Sequence, residues 1–241
     1  MHLRETDSTN DRARELAISG AVSGTVVTAG AQTAGRGRHG RRWAAPAGKA
    51  LLCSVILRPL EAHQSLLPLA VPLAVAEAAE ALAPVRCAVK WPNDVWVDER
   101  KLAGVLIEAR PPEWAVIGVG LNLSVAPDEF PTDLRWPATS LGHGVAADDA
   151  LLALLAALRR WVDAGPDEVV AAFGERDALR GRDLSWAEMA SSEEGSGPQG
   201  DPGRRMAGTG AGVDSRGNLV VQLADGERVS LGSGEVQLTL F

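Results

Sequence analysis

The sequence predicts an α/β domain followed by a small all-β module. Over residues 1–185, stretches with helical periodicity alternate with short β-branched segments that are separated by turn signals. Over residues 206–241, apolar and polar residues alternate between turns, a pattern typical of a small β-barrel or β-sandwich. We therefore expect two domains, 1–185 and 186–241, of which the second includes a flexible Gly-, Ser- and Pro-rich connection at 191–205.

Local signals place four helices in the first domain. Residues 8–11 (STND) predict a capping box that opens a helix ending near residue 19. A second helix is predicted over 63–83, with its prolines in the early turns. Amphipathic patterns predict two further helices, over 147–163 and 166–180.

Between the helices, β-branched and apolar runs predict six strands. Turn signals at Pro92-Asn93 and Glu99-Arg100 separate neighbouring strands. We expect one mixed sheet with the helices flanking it. The strands are predicted over 24–29, 50–58, 86–90, 94–98, 102–109 and 114–121.

The bulk composition excludes several classes of protein. Hydrophobic residues make up 46% and charged residues 23%, which predicts a packed core, and the net charge of −7 argues against a protein that coats nucleic acid. The polar N-terminus lacks the apolar core of a signal peptide. Pro68, Pro72, Glu77 and Glu80 interrupt the apolar run 66–85, so we expect no bilayer crossing. We expect a cytoplasmic protein with neither nucleic acid nor membrane as partner.

The two cysteines, Cys53 and Cys87, lie in apolar strand patterns and have no metal-ligand neighbour at a useful spacing. Small buried thiols in a reducing cytoplasm explain them better than a disulfide or a zinc site. Their apolar surroundings also argue against a catalytic thiolate.

The loop 35–43 (GRGRHGRRW) has the sharpest charge excess in the chain. No acidic residue occurs between Glu15 and Glu61, whereas six arginines or lysines do. Glycines allow the backbone to approach a ligand closely, and guanidinium groups pair bidentately with phosphate. An anion with more than one phosphate is therefore the expected guest.

Three other interpretations of this loop compete with a phosphate site. Gly35, Gly37 and Gly40 satisfy the G-x-G-x-x-G fingerprint of dinucleotide-binding domains, but the residues that follow are not helical, so we reject a Rossmann site. An RNA-binding patch with Trp43 as a stacking residue is the second. A solvated charged loop without function is the third. Composition alone leaves the last two open.

Lysine and asparagine are rare in this chain, and they fall into short motifs. KWPND at 90–94 brings an ammonium, an amide and a carboxylate to one turn, where they can bind a phosphate, a base or sugar, and a metal. Lys101 opens KLAG at 101–104, and pointing inward it could hold a carboxylate against an α-phosphate. GVGLN at 118–122 ends a strand in small residues and one amide, suited to contact with a base. Taken singly, each motif is also explained by an ordinary turn or a solvated side chain.

Taken in order, these stretches resemble the biotin protein ligase family. They fall in the family's order and spacing across residues 5–125, and GRGR-x-GR-x-W followed by KWPND is a highly specific combination. The resemblance implies an α+β catalytic domain with a mixed sheet, followed by a small C-terminal SH3-like domain. The matching pieces are DSTN at 7–10, Gln32 with GRGRHGRRW, KWPND, KLAGVLIE at 101–108 and GVGLNL at 118–123.

The resemblance also implies roles for individual residues, of which Arg36, Gly37 and Arg38 would belong to a loop that closes over the ligands. The implied catalytic residues are Lys101, Arg36 and Arg38. The implied biotin-binding residues are Ser8, Thr9, Asn10, Gln32, Arg36, Gly37, Arg38, Lys101 and Gly104. The implied ATP-binding residues are Arg41, Trp43, Lys90, Asn93, Asp94 and Asn122, with Asp94 also a neighbour of Mg²⁺. Trp136 receives no role.

The implied reaction uses biotin and ATP as substrates, with Mg²⁺, and forms biotinyl-5′-AMP. Biotin then passes to a lysine of a biotin carboxyl carrier domain of a carboxylase. A mixed anhydride hydrolyses in water, so a Gly-Arg loop without strong secondary structure is a suitable lid. No covalent enzyme nucleophile is required. Because the matching core begins by residue 7, we expect the type without an N-terminal DNA-binding domain; monomer and homodimer both stay open.

Two alternatives accompany this reading. Lipoate ligases and octanoyltransferases share the superfold, and the transferases use a catalytic cysteine. From a different class, a small RNA-binding protein would show salt-sensitive RNA affinity without ATP dependence.

Overall fold

A computed structural model of the chain describes residues 1–188, 205–232 and 236–240. All of the predicted flexible connection except its last residue lies outside these ranges. Seven strands form the first sheet: β1 (His2–Leu3), β2 (Val26–Ala29), β3 (Ala50–Leu57), β4 (Ala88–Lys90), β5 (Asp94–Val97), β6 (Arg100–Arg110) and β7 (Trp114–Asn122).

The first sheet has the strand order β1-β2-β3-β7-β6-β5-β4. β1 runs parallel to β2, and every other neighbouring pair is antiparallel, so the sheet is mixed as predicted. The long strands β3, β7 and β6 occupy its centre. β7 is buried along its whole length, which explains its continuous run of small and branched residues.

Side chains alternate across a strand, so one face of β7 packs in the hydrophobic core and the other lines a cavity. Ile117 and Leu121 belong to the main hydrophobic core. Gly118, Gly120 and Asn122 line a cavity instead. The centre of the sheet therefore separates the packing of the protein from the wall of a cleft.

Three helices contribute to the main core: α2 (Leu67–Leu82), α3 (Ala147–Val162) and α4 (Pro166–Arg176). α2 buries most of its residues. Its Pro68 lies in the first turn, where backbone N–H groups have no acceptor within the helix, so proline costs no hydrogen bond there. A fourth helix, α1 (Thr9–Ile18), packs elsewhere, in a second cluster with residues of β2, β3 and β7. This second cluster comprises Ala13, Ala17, Val27, Ile56, Trp114 and Val116.

A second sheet follows, with the antiparallel order β11-β10-β9-β8-β12. It confirms the all-β module at the C-terminus, whereas β8 begins before the predicted domain boundary at 185/186 and crosses it. Its strands are β8 (Asp183–Glu188), β9 (Arg205–Val213), β10 (Leu219–Gln222), β11 (Arg228–Leu231) and β12 (Val236–Leu240).

The tight turn between β9 and β10 packs the second sheet against the first domain. Gly217, at a φ of 81°, accepts a hydrogen bond through its carbonyl from the indole of Trp91 at 3.0 Å. An added Cβ at Gly217 would lie 3.0 Å from Leu66 and 3.3 Å from Leu69. The turn therefore seats against the start of α2 and the back of the KWPND motif.

Several boundaries differ from the predicted ones for physical reasons. The predicted helix 63–83 divides into a 3-10 turn at Ala62–Leu66 and the α-helix α2. The helix predicted over 166–180 ends at Arg176, because Asp177 turns extended and forms a parallel bridge with Val89 of β4. β1 is too short to have produced a periodic signal.

The capping box predicted at residues 8–11 does not form. Ser8 is the N-cap of α1, as expected, but its side chain makes no capping hydrogen bond. The amide of Thr9 instead donates to the side-chain oxygen of Gln32 at 2.7 Å. Asp11 pairs with Arg14 at 2.8 Å and Arg36 at 2.9 Å rather than with the N-cap. The side chain of Gln32, distant in sequence, therefore satisfies a backbone N–H at the start of α1 in place of Ser8.

One stretch, Ala62–Leu82, is long and apolar enough to cross a membrane on length and composition alone, and the prolines and glutamates do not prevent this. Two-thirds (67%) of its most apolar window is buried inside the protein. The apolar side chains therefore pack in the core.

Candidate functional site

A cavity of about 520 Å³ opens on the face of the sheet where α1 packs. It collects residues from the start of α1, the loop 35–43, the KWPND turn and strands β6 and β7. All the predicted site residues line it except Lys90, which is buried beside it. Those in the lining are Ser8, Thr9, Asn10, Gln32, Arg36, Gly37, Arg38, Arg41, Trp43, Asn93, Asp94, Lys101, Gly104 and Asn122.

One end of the cavity is built around the amide of Asn10. The hydroxyl of Ser54, fully buried on β3, donates to Oδ1 of Asn10 at 2.7 Å and lies 2.8 Å from Oγ1 of Thr9. The Asn10 nitrogen donates to the carboxylate of Glu108 at 2.9 Å and to the carbonyl of Leu106 at 3.3 Å. Donor and acceptor ends of the amide are thus fixed, which gives this pocket a defined hydrogen-bonding pattern.

Gly118 allows this arrangement. Its Cα faces the Asn10 amide so closely that any Cβ would overlap it. The small residues of GVGLN therefore make room for the start of α1, and the base contact suggested by the sequence is not needed to explain Gly118.

The loop 35–43 is more ordered than a structureless lid. The amide of Gly37 donates to the Arg41 carbonyl at 2.7 Å, and that of Trp43 donates to the Gly35 carbonyl at 2.9 Å. A 3-10 turn at Arg38–Gly40 forms the tip, with His39 at a φ of 55°. The loop is a short hairpin, and no α-helix begins inside the glycine motif, consistent with the rejection of a Rossmann site.

The arginines of this hairpin have different environments. Burial lowers the pKa of Arg38, an effect that the nearby Asp94 opposes. Arg135, from a segment after β7, also reaches the cavity, and Arg41 lies close enough to lower its pKa further after the effect of burial. Arg36 points the other way, to Asp11 and Glu108. Arg38, Arg41 and Arg135 therefore form the positive wall of the cavity.

Lys101 lines the cavity together with Asp94 and Trp43. Its ammonium lies 2.7 Å from Oδ1 of Asp94 and 5.6 Å from the centre of the Trp43 ring. Asn93 is turned away toward β6, since its amide nitrogen donates to the Val105 carbonyl at 2.7 Å. The KWPND turn thus supplies Asp94 to the cavity, while Asn93 also secures β6.

Lys90 is 94% buried, with 6% of its surface exposed, and lies beside two indole rings. Its ammonium is 5.6 Å from the centre of the Trp96 ring and 5.1 Å from that of Trp136. Burial lowers the pKa of Lys90 to about 8, with Lys101 adding to the shift and Asp94 opposing it.

Trp43 lies on a floor of two glycines, Gly104 and Gly120. A Cβ at Gly120 would overlap the indole, and one at Gly104 would lie 3.1 Å from it. The indole nitrogen is buried and finds no acceptor among the described residues. Trp43 is therefore part of the cavity wall between Lys101 and the sheet, with a free donor beside the ligand space.

The sequence did not reveal the contribution of the segment after β7. Phe130, Leu134, Arg135 and Trp136 all line the cavity. The segment is anchored where the Lys101 amide donates to the Pro137 carbonyl at 2.7 Å. A tryptophan next to an arginine in a loop was the available signal, but no periodicity assigns such a loop to a site. Ser54 and Glu108, inside regular strands, gave no signal.

The cysteines are remote from this chemistry. Cys53 and Cys87 are buried, and burial raises the pKa of each thiol to about 12. Neither thiol can form a thiolate near neutral pH, so neither supports a transferase that uses a catalytic cysteine.

Comparison with known proteins places this fold and cavity in a family. The model of the biotin/lipoate A/B protein ligase family matches residues 3–122, and that of the biotin protein ligase C-terminal domain matches residues 201–239. The chain is 36% identical to the biotin–[acetyl-CoA-carboxylase] ligase of Mycobacterium tuberculosis, over 96% of this chain and 86% of that protein.

Two further relatives agree. The bifunctional ligase/repressor BirA of Bacillus spizizenii is 40% identical over 143 residues, which cover 56% of this chain and 44% of that protein. The chain therefore spans less than half of that relative. The structure of the Aquifex aeolicus biotin protein ligase in complex with biotin and ATP superposes with a TM-score of 0.80 at 27% identity, covering 100% of this chain and 98% of that one. Sequence, fold and both matched regions agree: the chain belongs to the biotin protein ligase family.

Proposed function

We propose that the protein joins biotin to ATP, forming biotinyl-5′-AMP and pyrophosphate, and then transfers biotin to a lysine of a carboxylase's biotin carboxyl carrier domain. The observation that carries this proposal is the position of Lys101. Its ammonium lines the same cavity as Asn10 and the arginines of the 35–43 hairpin, and it contacts Asp94, whose charge also acts on Arg38. A cation at this point can hold a carboxylate and a phosphate next to each other.

The Asn10 end of the cavity suits the ring system of biotin. Ser8, Thr9, Asn10 and Gln32 provide hydroxyls, amides and the start of a helix for a ureido group, which both donates and accepts hydrogen bonds. Gly104 leaves space beside Lys101. The carboxylate at the end of the biotin chain would then reach the Lys101 ammonium, which is the role we assign to it.

The opposite end suits ATP. Arg38, Arg41 and Arg135 supply positive charge for the phosphates. Lys90, Asn93, Asp94 and Asn122 lie around the same end, although the side-chain nitrogen of Asn122 already donates to the Thr139 carbonyl at 3.0 Å. The indole of Trp43 lies against Gly104 and Gly120 in the cavity wall, and we assign it to the ATP end.

In the first step, an oxygen of the biotin carboxylate attacks the α-phosphorus of ATP, and pyrophosphate leaves. Lys101 and Arg38 would neutralise the charge that develops on the phosphate oxygens. In the second step, the uncharged amine of the acceptor lysine attacks the acyl carbon, and AMP leaves. Neither step requires a covalent enzyme intermediate, which fits two buried, protonated cysteines.

Magnesium would arrive with ATP. Among the described residues, no group of three or more His, Cys, Asp or Glu side chains is placed to hold a metal. Asp94 is the carboxylate nearest the arginines and is paired with Lys101. A magnesium ion held chiefly by phosphate oxygens and water, with Asp94 as its neighbour, fits this donor set.

The two buried, free cysteines support a reducing compartment, so we also propose that the protein acts in the cytoplasm. A lipoate ligase of the same superfold is the competing function. The polar Asn10 end favours biotin, because lipoate has no ureido group to exchange hydrogen bonds with side chains such as those of Ser8 and Gln32.

The test is to incubate the purified protein with magnesium, ATP and either biotin or lipoate. Pyrophosphate release and the bound adenylate are then followed, the latter by mass spectrometry. We expect biotinyl-AMP with biotin only. An adenylate formed from lipoate would mean that lipoate is the substrate and that the mechanism is unchanged. If neither acid releases pyrophosphate, the ligase function is wrong, and RNA binding by the arginine hairpin becomes the function to test.

A further inference from the structure

Glu108 connects two parts of the cavity wall. Its Oε2 atom accepts a hydrogen bond from the Asn10 nitrogen at 2.9 Å and another from a terminal nitrogen of Arg36 at 2.7 Å. Asn10 belongs to α1, Arg36 to the 35–43 hairpin and Glu108 to β6. One carboxylate oxygen thus links three elements that are distant in sequence.

A second carboxylate completes the attachment of Arg36. The same terminal nitrogen lies 2.9 Å from Oδ1 of Asp11, one residue after Asn10 on α1. Arg14 balances the charge, since its nitrogens lie 2.8 Å from Asp11 and 3.8 Å from Glu108. Two arginines and two carboxylates form a cluster without net charge, so the charge of Arg36 is neutralised inside this cluster.

This cluster anchors the base of the hairpin. The backbones of Arg36 and Arg42 form an antiparallel β-bridge at the base of the hairpin. The amides of Gly37 and Trp43 donate the hydrogen bonds of this bridge region. Arg38, one of the hairpin arginines in the positive wall of the cavity, lies two residues after Arg36. Any movement of Arg36 would therefore move the base, and the tip with it.

We propose that Glu108 is a positioning residue, which links the orientation of the Asn10 amide at the biotin end to the closed position of the hairpin. This inference rests on the proposed ligase function. A neutral side chain at position 108 could accept from Asn10 or from Arg36, but it would no longer hold the guanidinium by charge. The hairpin would then open more often, and the mixed anhydride would escape to water.

The first test uses the ligand-free protein. Glu108→Gln is compared with wild type and with Glu113→Gln, a control at the β6–β7 turn whose exposed carboxylate lies 3.4 Å from Arg110. Hydrogen exchange of the Gly37 and Trp43 amides is measured. We expect exchange to accelerate about tenfold in Glu108→Gln, the loss of one charge-assisted hydrogen bond, and to stay unchanged in Glu113→Gln.

The second test uses turnover. In Glu108→Gln we expect the KM for biotin and the rate of adenylate escape to rise about tenfold, whereas the KM for ATP changes less than about twofold. Combining Glu108→Gln with Arg36→Gln should cost less than the sum of the two single changes, because both remove the contact that these residues share. A purely structural role would instead lower the unfolding midpoint and alter both KM values together.

The outcomes separate the two proposals. Unchanged amide exchange in Glu108→Gln, or fully additive effects in the double variant, would overturn the role of Glu108. If wild type forms no adenylate, the ligase function fails, while the exchange experiment still decides whether Glu108 anchors the hairpin.

Discussion

The ammonium of Lys101 lies 2.7 Å from Oδ1 of Asp94, with both side chains largely shielded from water. Lys101 is the second residue of β6, and Asp94 is the first residue of β5, where its partner in the ladder is Gly104. An ion pair that is already in place positions the lysine before a ligand enters. In the reaction that we propose, the biotin carboxylate would meet a cation whose direction is already set.

Replacing Lys101 should slow the first step. We expect Lys101→Ala to reduce the rate of adenylate formation roughly 10²- to 10³-fold, because a preorganised cation next to the reacting phosphate is lost. Pyrophosphate release in a single turnover measures this rate directly. Arg100→Ala is the control, since Arg100 is exposed and has the neighbouring position on the same strand. A rate within about twofold of wild type would exclude Lys101 from the chemical step.

Replacing Arg38 should affect retention of the intermediate. In Arg38→Ala we expect adenylate to form but to be lost to water, since a partly buried guanidinium on the cavity wall is removed from the lid. The measurement is the ratio of free to bound biotinyl-AMP after a single turnover. Arg110→Ala is the matched control, because Arg110 is an exposed arginine outside the cavity lining. Equal retention in Arg38→Ala and wild type would contradict the lid assignment.

The buried amine of Lys90 should make the use of ATP depend on pH. Burial lowers the pKa of Lys90 to about 8, so the ammonium that attracts phosphate is lost as pH rises through this value. We expect kcat/KM for ATP to fall above a pH of about 8, since this parameter reports on the free enzyme. Lys90→Arg should remove the transition because a guanidinium stays charged. The same transition in Lys90→Arg would assign it to another group.

The glycine floor beneath Trp43 should not tolerate a methyl group. Gly120→Ala would bring Cβ into the indole, and we expect a loss of about 1–3 kcal/mol in the free energy of unfolding together with weaker ligand binding. Gly174→Ala is the comparison within α4, where the added Cβ meets only Arg180, at 3.5 Å. That change should stabilise the protein by about 0.5–1 kcal/mol. Denaturant unfolding of both variants provides the measurement, and a neutral Gly120→Ala would show that Trp43 is free to move.

The sequence predicted the central strands of the sheet and the residues of the cavity, because both depend on local sequence patterns. Strands β3, β6 and β7 have uninterrupted apolar patterns, so their existence followed from periodicity. The motif residues reach one cavity because strand ends and turns bring them to one face of the sheet. Their individual roles are still predictions.

The remaining features depend on partners far away in the chain. Gln32, rather than the side chain of Ser8, caps α1, and no pattern within α1 contains that information. Glu108 looks like an ordinary polar position on a strand, and only the fold brings Arg36 and Asn10 to it. Trp136 lies in a loop whose position depends on backbone contacts with β6. Tertiary contacts of this kind cannot be read from a local window.

The hydrogen bond from the Trp91 indole to the Gly217 carbonyl bears on how this protein could be dissected. Removing the C-terminal sheet would leave a buried indole N–H without an acceptor and would uncover Leu66 and Leu69 at the start of α2. The damage would fall directly behind Lys90 and Asp94. The first domain therefore depends on the C-terminal sheet for its stability. A fragment ending before β8 should be unstable and should have an impaired site around Lys90 and Asp94. Fusions or transplanted catalytic domains should retain both sheets.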